Sequence, residues 1–285
     1  MSRAETEQGA RRRSSGLALL GSELSVLFRR RRTWALLAAL AAVPVLIAIA
    51  VRLSSDSETG GGGPAFLGDI TQNGLFVSLT ALAVSMPLFL PLTVGVVAGD
   101  TIAGEANLGT LRYLLVAPAA RLRLLLVKFA GAAAFCLAAT VVVVVAGVAI
   151  GAALFPVGPV TLLSGDVVGV GGFALRAALF VAYVTLSLLG LSAIGMFVST
   201  LTTVPVGAMA ATIVISAASQ IVGVIPQLEV LHPWLFSHYW LGFADLMRNP
   251  IGFESFGDNA LLQLGYIAVF GALAYGRFAT KDVLS

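Results

Sequence analysis

Apolar runs of about twenty residues or more alternate with short polar breaks along most of the chain, the length one helix needs to cross a bilayer core of about 30 Å. The runs predict spans over about 34–53, 75–99, 124–155, 175–200, 206–225 and 260–278. Ahead of the first run, Leu17, Leu20, Leu24, Leu27 and Phe28 form one apolar stripe at helical spacing, with Glu23 and Arg30 off it. That pattern predicts an amphipathic helix lying in the membrane interface. Residues 1–16 are a polar, arginine-bearing tail, and Arg29 to Arg32 lead into Trp34, a residue suited to headgroup level. An arginine block before an apolar stretch also opens secretory signals, but this stretch is long for one and further spans follow it. The expected fold class is an all-α integral membrane protein of six transmembrane helices behind an N-terminal interfacial helix.

Within the second run, Pro87 and Pro91 predict a kink, because proline removes a ladder donor. Gly95 with Gly99, and Gly147 with Gly151, are small-residue pairs that let two helices approach closely. Residues 54–74 hold Asp56, Glu58, Asp69 and the run Gly60 to Gly63, a flexible loop by composition. Pro156 to Gly172 make a second glycine-rich loop containing Asp166, and Thr202, Thr203 and Pro205 a tight turn. The longest break, 226–258, contains LHPWLFSHYW, which predicts one or two short helices or a re-entrant piece along the interface.

The break from Asp100 to Lys128 carries a pattern of its own. Leu108, Leu111, Leu114 and Leu115 follow helical spacing, Gly104 and Gly109 punctuate the start, and Pro118 is placed to stop the helix. Arg121, Arg123 and Lys128 then enter the third span. A charged break holding a helix suits either force transfer to a soluble partner or a simple topology signal. Counting cations decides its side. With both termini inside, Arg3, Arg11 to Arg13, Arg29 to Arg32, Arg112, Arg121, Arg123, Lys128, Arg277 and Lys281 are cytoplasmic, against Arg52, Arg176 and Arg248 outside.

Composition narrows the chemistry. The 285 residues are 58% hydrophobic and 11% charged, too apolar for a soluble domain and too short to add a sizeable one to six spans. The net charge of +3 comes from clustered arginines, so nucleic acid is not an expected partner. The single cysteine, Cys136, lies in an apolar run and allows no internal disulfide. A phosphate-binding loop ends in Gly-Lys-Ser/Thr, but Val127 precedes Lys128 and Thr280 precedes Lys281, so ATP chemistry would need another polypeptide. Ionisable residues fall at span ends and in breaks, which argues against a mid-membrane ion site. His232 and His238 suit interfacial packing better than a metal site, and no HExxH or GxSxG motif occurs. Thr185, Ser192, Thr212, Ser216 and Gln220 could line a path, or hold helices together by hydrogen bonds.

Gly104-Glu105, Gly109-Thr110-Leu111, Leu114-Leu115, Pro118, Arg121 and Lys128 together resemble the first cytoplasmic loop of ABC-2-type transporter permeases. The resemblance covers 17–285 as one transmembrane domain, more loosely outside the motif. It implies a permease subunit of an ATP-driven exporter in a prokaryotic plasma membrane, paired with a second permease copy or a paralogue. ATP and Mg²⁺ would sit on a separate ATPase subunit. Asp100, Glu105, Gly109, Thr110, Leu111, Leu114, Leu115 and Pro118 would form the coupling helix region that docks on it. Glu105 would favour a helix N-terminus or pair with a basic residue. Arg29, Arg30, Arg31, Arg32, Arg121 and Lys128 would anchor to headgroups. A hydrophobic or amphipathic cargo (drug, peptide or lipid) fits the small, apolar and hydroxylic spans. Two other classes fit the layout: an ion-gradient-driven transporter or channel, and a non-transporting membrane anchor or sensor for an ATPase.

Overall fold

A computed structural model describes residues 18–55, 70–107 and 118–280. The tail at 1–16, most of the first loop, the leucines and glycine from Leu108 to Leu115, and Lys281 lie outside the described residues. The elements are α1 (18–29), α2 (Arg31–Ser55), α3 (Phe76–Ser85), α4 (Phe89–Asn107) and α5 (Pro118–Leu154), then α6 (Val170–Leu201), α7 (Pro205–Gly223) and α8 (Glu254–Thr280). Among the described residues, six helices are long and apolar enough to cross a membrane: α2, α4, α5, α6, α7 and α8. The chain is an all-α integral membrane protein.

Three boundaries differ from expectation. The second apolar run is two helices, α3 and α4, separated by a turn at 86–88. Pro91 sits in the first turn of α4, where its missing N–H is tolerated. In an unbroken helix the carbonyl of Pro87 would accept from residue 91, which as proline has nothing to donate. Gln220 on α7 supplies the donor instead, its Nε2 lying 2.6 Å from Pro87 O. Next, α4 continues through Asp100 and Glu105 to Asn107, so the polar break begins later than the charges suggest. Finally, α5 begins at Pro118, ahead of the expected start of the third span, a position where proline's fixed φ favours helix entry.

Both glycine pairs act where two backbones touch. A Cβ on Gly151 would lie 1.9 Å from Gly74 O, and one on Gly147 2.6 Å from Ser78 Cα, so α3 packs directly on α5. Gly99 faces Met209 N at 2.7 Å by the same measure, which brings α4 onto α7. Around these crossings the main core gathers Leu82, Met86 and Leu90 with Phe135, Phe180, Tyr183 and Leu188, all fully buried. A second cluster, Ile102, Leu125, Met196, Ala274 and Phe278, closes one end of the bundle. That is the basic end, since Arg30, Arg32, Lys128 and Arg277 lie on the adjoining turns.

At the far end, α5 and α6 are joined through a two-stranded hairpin, β1 (Val160–Thr161) and β2 (Val167–Val168), with Val160 opposite Val168. Gly165 turns it at φ +86, a conformation that side chains disfavour. At about 1.5 Å per residue, α6 with its 32 residues is about 48 Å long and α7 with its 19 residues about 28 Å. The aromatic segment covers the length of α6 that α7 leaves bare. It forms two 3-10 helices, Pro226–Trp234 and Gly242–Met247, and buries Phe236, Trp240 and Phe243. Trp240 Nε1 donates to Ser187 O (3.2 Å), midway along α6, and Tyr183 Oη donates to Tyr239 O (2.7 Å). Arg176, expected at the outer end of the fourth span, is buried in α6 and its guanidinium donates to the carbonyls of Leu246, Gly172 and Arg248. Nε2 of His232 lies 3.1 Å from both Val222 O and Ile225 O, capping the end of α7.

Candidate functional site

Six charged residues of the basic end form one hub around a shared pocket. Asp100 on α4 accepts from Arg30 Nη1 (2.9 Å) and Arg32 Nη2 (3.1 Å). Arg32 Nη2 also reaches Val96 O at 3.3 Å. One helical turn further along α4, Glu105 meets the ammonium of Lys128 on α5, and both carboxylate oxygens of Glu23 on α1 lie 2.9 Å from the same Nζ. Three carboxylates thus face three cations across α1, the α1–α2 elbow, α4 and α5.

Lys128 is the buried member, 5% exposed, and not the open headgroup anchor expected from its place beside an arginine pair. An ammonium so placed needs internal partners, because its desolvation is otherwise uncompensated. Glu23 is accordingly on the inward side of α1, together with Leu20, Leu24, Leu27 and Phe28. The sequence stripe holds for Leu20, Leu24, Leu27 and Phe28 and fails for Glu23, while Leu17 lies outside the described residues. Gly131 makes room for this contact, since a Cβ there would come 3.3 Å from Glu23 Cγ.

The elbow between α1 and α2 is held by the side chains that follow it. Thr33 Oγ1 donates to Leu27 O (2.6 Å), Trp34 Nε1 to Phe28 O (2.7 Å), and Thr33 N to Arg30 O (3.0 Å). These bonds take up the orphan carbonyls at the end of α1. Arg29 and Arg31 point outward and are exposed, while Arg121 is half-buried in the first turns of α5.

Ser199 on α6 is a residue that sequence reading passed over. Its Oγ donates to Gly99 O (2.7 Å) and accepts from Ile102 N (3.0 Å) and Ala103 N (2.8 Å). The hydroxyl thus stands inside the ladder of α4 between Asp100 and Glu105, an insertion of the kind that bends helices. Only the repeated small polar residues of α6 could have signalled it. Ser199→Ala should lower thermal stability by about 1–3 kcal/mol, the cost of leaving buried backbone donors unmet. The same variant should shift Asp100 relative to Arg30, read as loss of a cross-link between cysteines placed at 30 and 100.

The five hydroxyl and amide residues of the spans are spread along the bundle. Ser192 Oγ donates to Leu188 O (3.0 Å) and sits 3.2 Å from Cys136 Sγ, and Thr212 Oγ1 donates to Ala208 O (2.8 Å). Gln220 serves Pro87, whereas Thr185 Oγ1 and Ser216 Oγ have no hydrogen-bond partner among the described residues. Gly109, Thr110, Leu111, Leu114 and Leu115 lie outside the described residues, and Pro118 is placed only as the first residue of α5.

Six helices long and apolar enough to cross a membrane, an elbowed helix and a charged hub at one end mark a multi-pass membrane protein. The chain matches the family described as ABC-2 family transporter protein over residues 17–235, well over half its length. It belongs to that family and is the membrane component, or permease subunit, of an ABC transporter. A comparison with curated proteins returned no match.

Proposed function

We propose that this chain is the permease half of an ATP-driven exporter, working as a pair with a second copy or a paralogue. A separate ATPase subunit holds ATP and Mg²⁺. The single observation that carries the reading is the hub: α1, α4 and α5 are tied through Glu23, Glu105 and Lys128, beside the elbow pairing of Arg30 and Arg32 with Asp100. A helix lying across the end of a bundle and ionically fixed to two spans moves those spans when it is pushed. The region from Gly109 to Leu115 and α1 dock on the ATPase, and closure of the ATPase dimer on ATP shifts the bundle towards its outward-open state.

The basic end faces the cytoplasm of a prokaryotic cell, by the excess of arginine there over the far end, and both termini lie inside. Arg29, Arg31 and Arg121 anchor that end at the headgroups. Thr185 and Ser216, whose hydroxyls have no partner among the described residues, are the two of the five span residues assigned to the path. The cargo is hydrophobic or amphipathic.

Asp100→Asn tests the reading. It keeps the size of the side chain and removes the charge that holds Arg30 and Arg32. Permease-dependent, vanadate-sensitive ATP hydrolysis in vesicles should fall about tenfold, or about 1.4 kcal/mol of coupling, with membrane insertion unchanged. Hydrolysis equal to wild type would remove the hub from the coupling path. Transport that needs no ATPase and collapses with the ion gradient would point to the secondary-transporter class instead.

A further inference from the structure

We propose that the far end of the chain carries a binding groove for an amphipathic organic cation, its charged head at Asp258 and its apolar body along α8. The groove has a volume of about 560 Å³, with Trp234 and Tyr239 of the aromatic segment on one side and Asp258, Gly265, Tyr266 and Phe270 of α8 on the other. Pockets for small organic ligands fall in the range of about 300–1,000 Å³. The rest of the lining is apolar, including Leu262 and Val269.

Two features set it apart from a surface that merely meets acyl chains. The first is charge. Asp258 is exposed in the groove, and no cation lies within ion-pair distance of it among the described residues. A carboxylate beside several ring faces favours a cation twice over, by direct attraction and by the negative faces of the rings. The second is that the rings of Tyr266 and Phe270, and the backbone that carries Trp234 and Tyr239, are fixed before any ligand arrives. Tyr266 Oη donates to Trp234 O (2.7 Å), and the Tyr266 and Phe270 rings stack with centroids 5.9 Å apart and planes 2° from parallel. Phe236 meets Tyr266 edge-on at 5.6 Å, and Tyr239 is held through its carbonyl by Tyr183. Walls held in this way lose little side-chain freedom on binding.

The shape fits an elongated ligand. Asp258, Leu262, Gly265 and Val269 fall on one face of α8, spanning about 16 Å at 1.5 Å per residue. Gly265 leaves the middle open: a Cβ there would have nothing within 4 Å. Assigning such a cation as cargo rests on the exporter reading; its binding does not.

The test uses the intact chain in a maltoside detergent, without an ATPase, and equilibrium dialysis of octyltrimethylammonium beside its anionic counterpart octyl sulfate. Saturable binding of the cation alone is expected. Asp258→Asn should weaken it about tenfold, and Gly265→Leu, which fills open space, should abolish it at unchanged thermal stability. Equal binding by Asp258→Asn and wild type, or retention by Gly265→Leu, overturns the proposal. Absent binding with vanadate-sensitive export intact would sink this site alone. Binding without ATP-driven efflux would sink the exporter reading and leave the site standing.

Discussion

Lys128→Met should destabilise the chain by about 3–5 kcal/mol, because it leaves Glu23 and Glu105 facing each other at the membrane edge with their shared cation gone. The two carboxylates left behind are only 24% and 20% exposed, so water compensates them less than it would at a surface pair. Thermal unfolding in detergent, followed by tryptophan fluorescence, reads the loss. The triple variant Lys128→Met, Glu23→Gln, Glu105→Gln should recover more than half of it, since no charge is then stranded. A triple variant as unstable as the single one would show that the methylene stem of Lys128, and not its charge, matters at this position. The exposed side of the hub should respond much less: the side chains of Arg30 and Arg32 are 46% and 45% exposed, and each pair is worth at most about 1 kcal/mol.

Gly151→Ala should be the most damaging single methyl at any of the described glycines. The new Cβ would sit 1.9 Å from Gly74 O, and Gly74 would in turn meet the backbone of residue 151, so neither partner is a side chain that can swing away. The helices must part. Overpacking of this kind costs about 1–3 kcal/mol or more, and it also separates α3 from α5 and loosens Asn73, whose Nδ2 holds Gly158 O and Pro159 O at 2.9 and 3.0 Å. Gly158→Ala is the matched control, as a Cβ there would have nothing within 4 Å. Yield of monodisperse protein from membranes and its unfolding midpoint measure both. Equal behaviour of the two variants would contradict the close crossing of α3 and α5.

What the sequence made legible follows from range. Run length alone announces the six spans, because a helix in lipid must bond its own backbone and cover about 30 Å with apolar side chains. The small pairs Gly95–Gly99 and Gly147–Gly151 were readable as close approaches since their spacing is that of one helix face. The partners across those crossings were not readable. Glu23 and Lys128 lie 105 residues apart, and nothing local to either tells a stripe-breaking glutamate from one that has a buried cation to meet. Ser199 is as anonymous in its helix as Ser192, yet one braces α4 and the other bonds its own turn. The two prolines marked the break between α3 and α4, but only the fold shows that Gln220 fills the donor place Pro91 leaves empty. The aromatic segment read as an interface belt because tryptophan and tyrosine are common there, whereas Trp240 and Phe236 are core residues.

The central claim is that the basic end meets an ATPase, and copurification tests it most directly. The tagged chain is extracted from native membranes in mild detergent, and the proteins that stay bound are identified and quantified by mass spectrometry. The account predicts a P-loop ATPase at one copy per permease chain, lost when Leu111 and Glu105 are both replaced while the permease keeps its yield. A chain that reproducibly comes away with no ATPase would contradict it, and would leave the hub of Asp100, Glu105 and Lys128 as a brace for the fold.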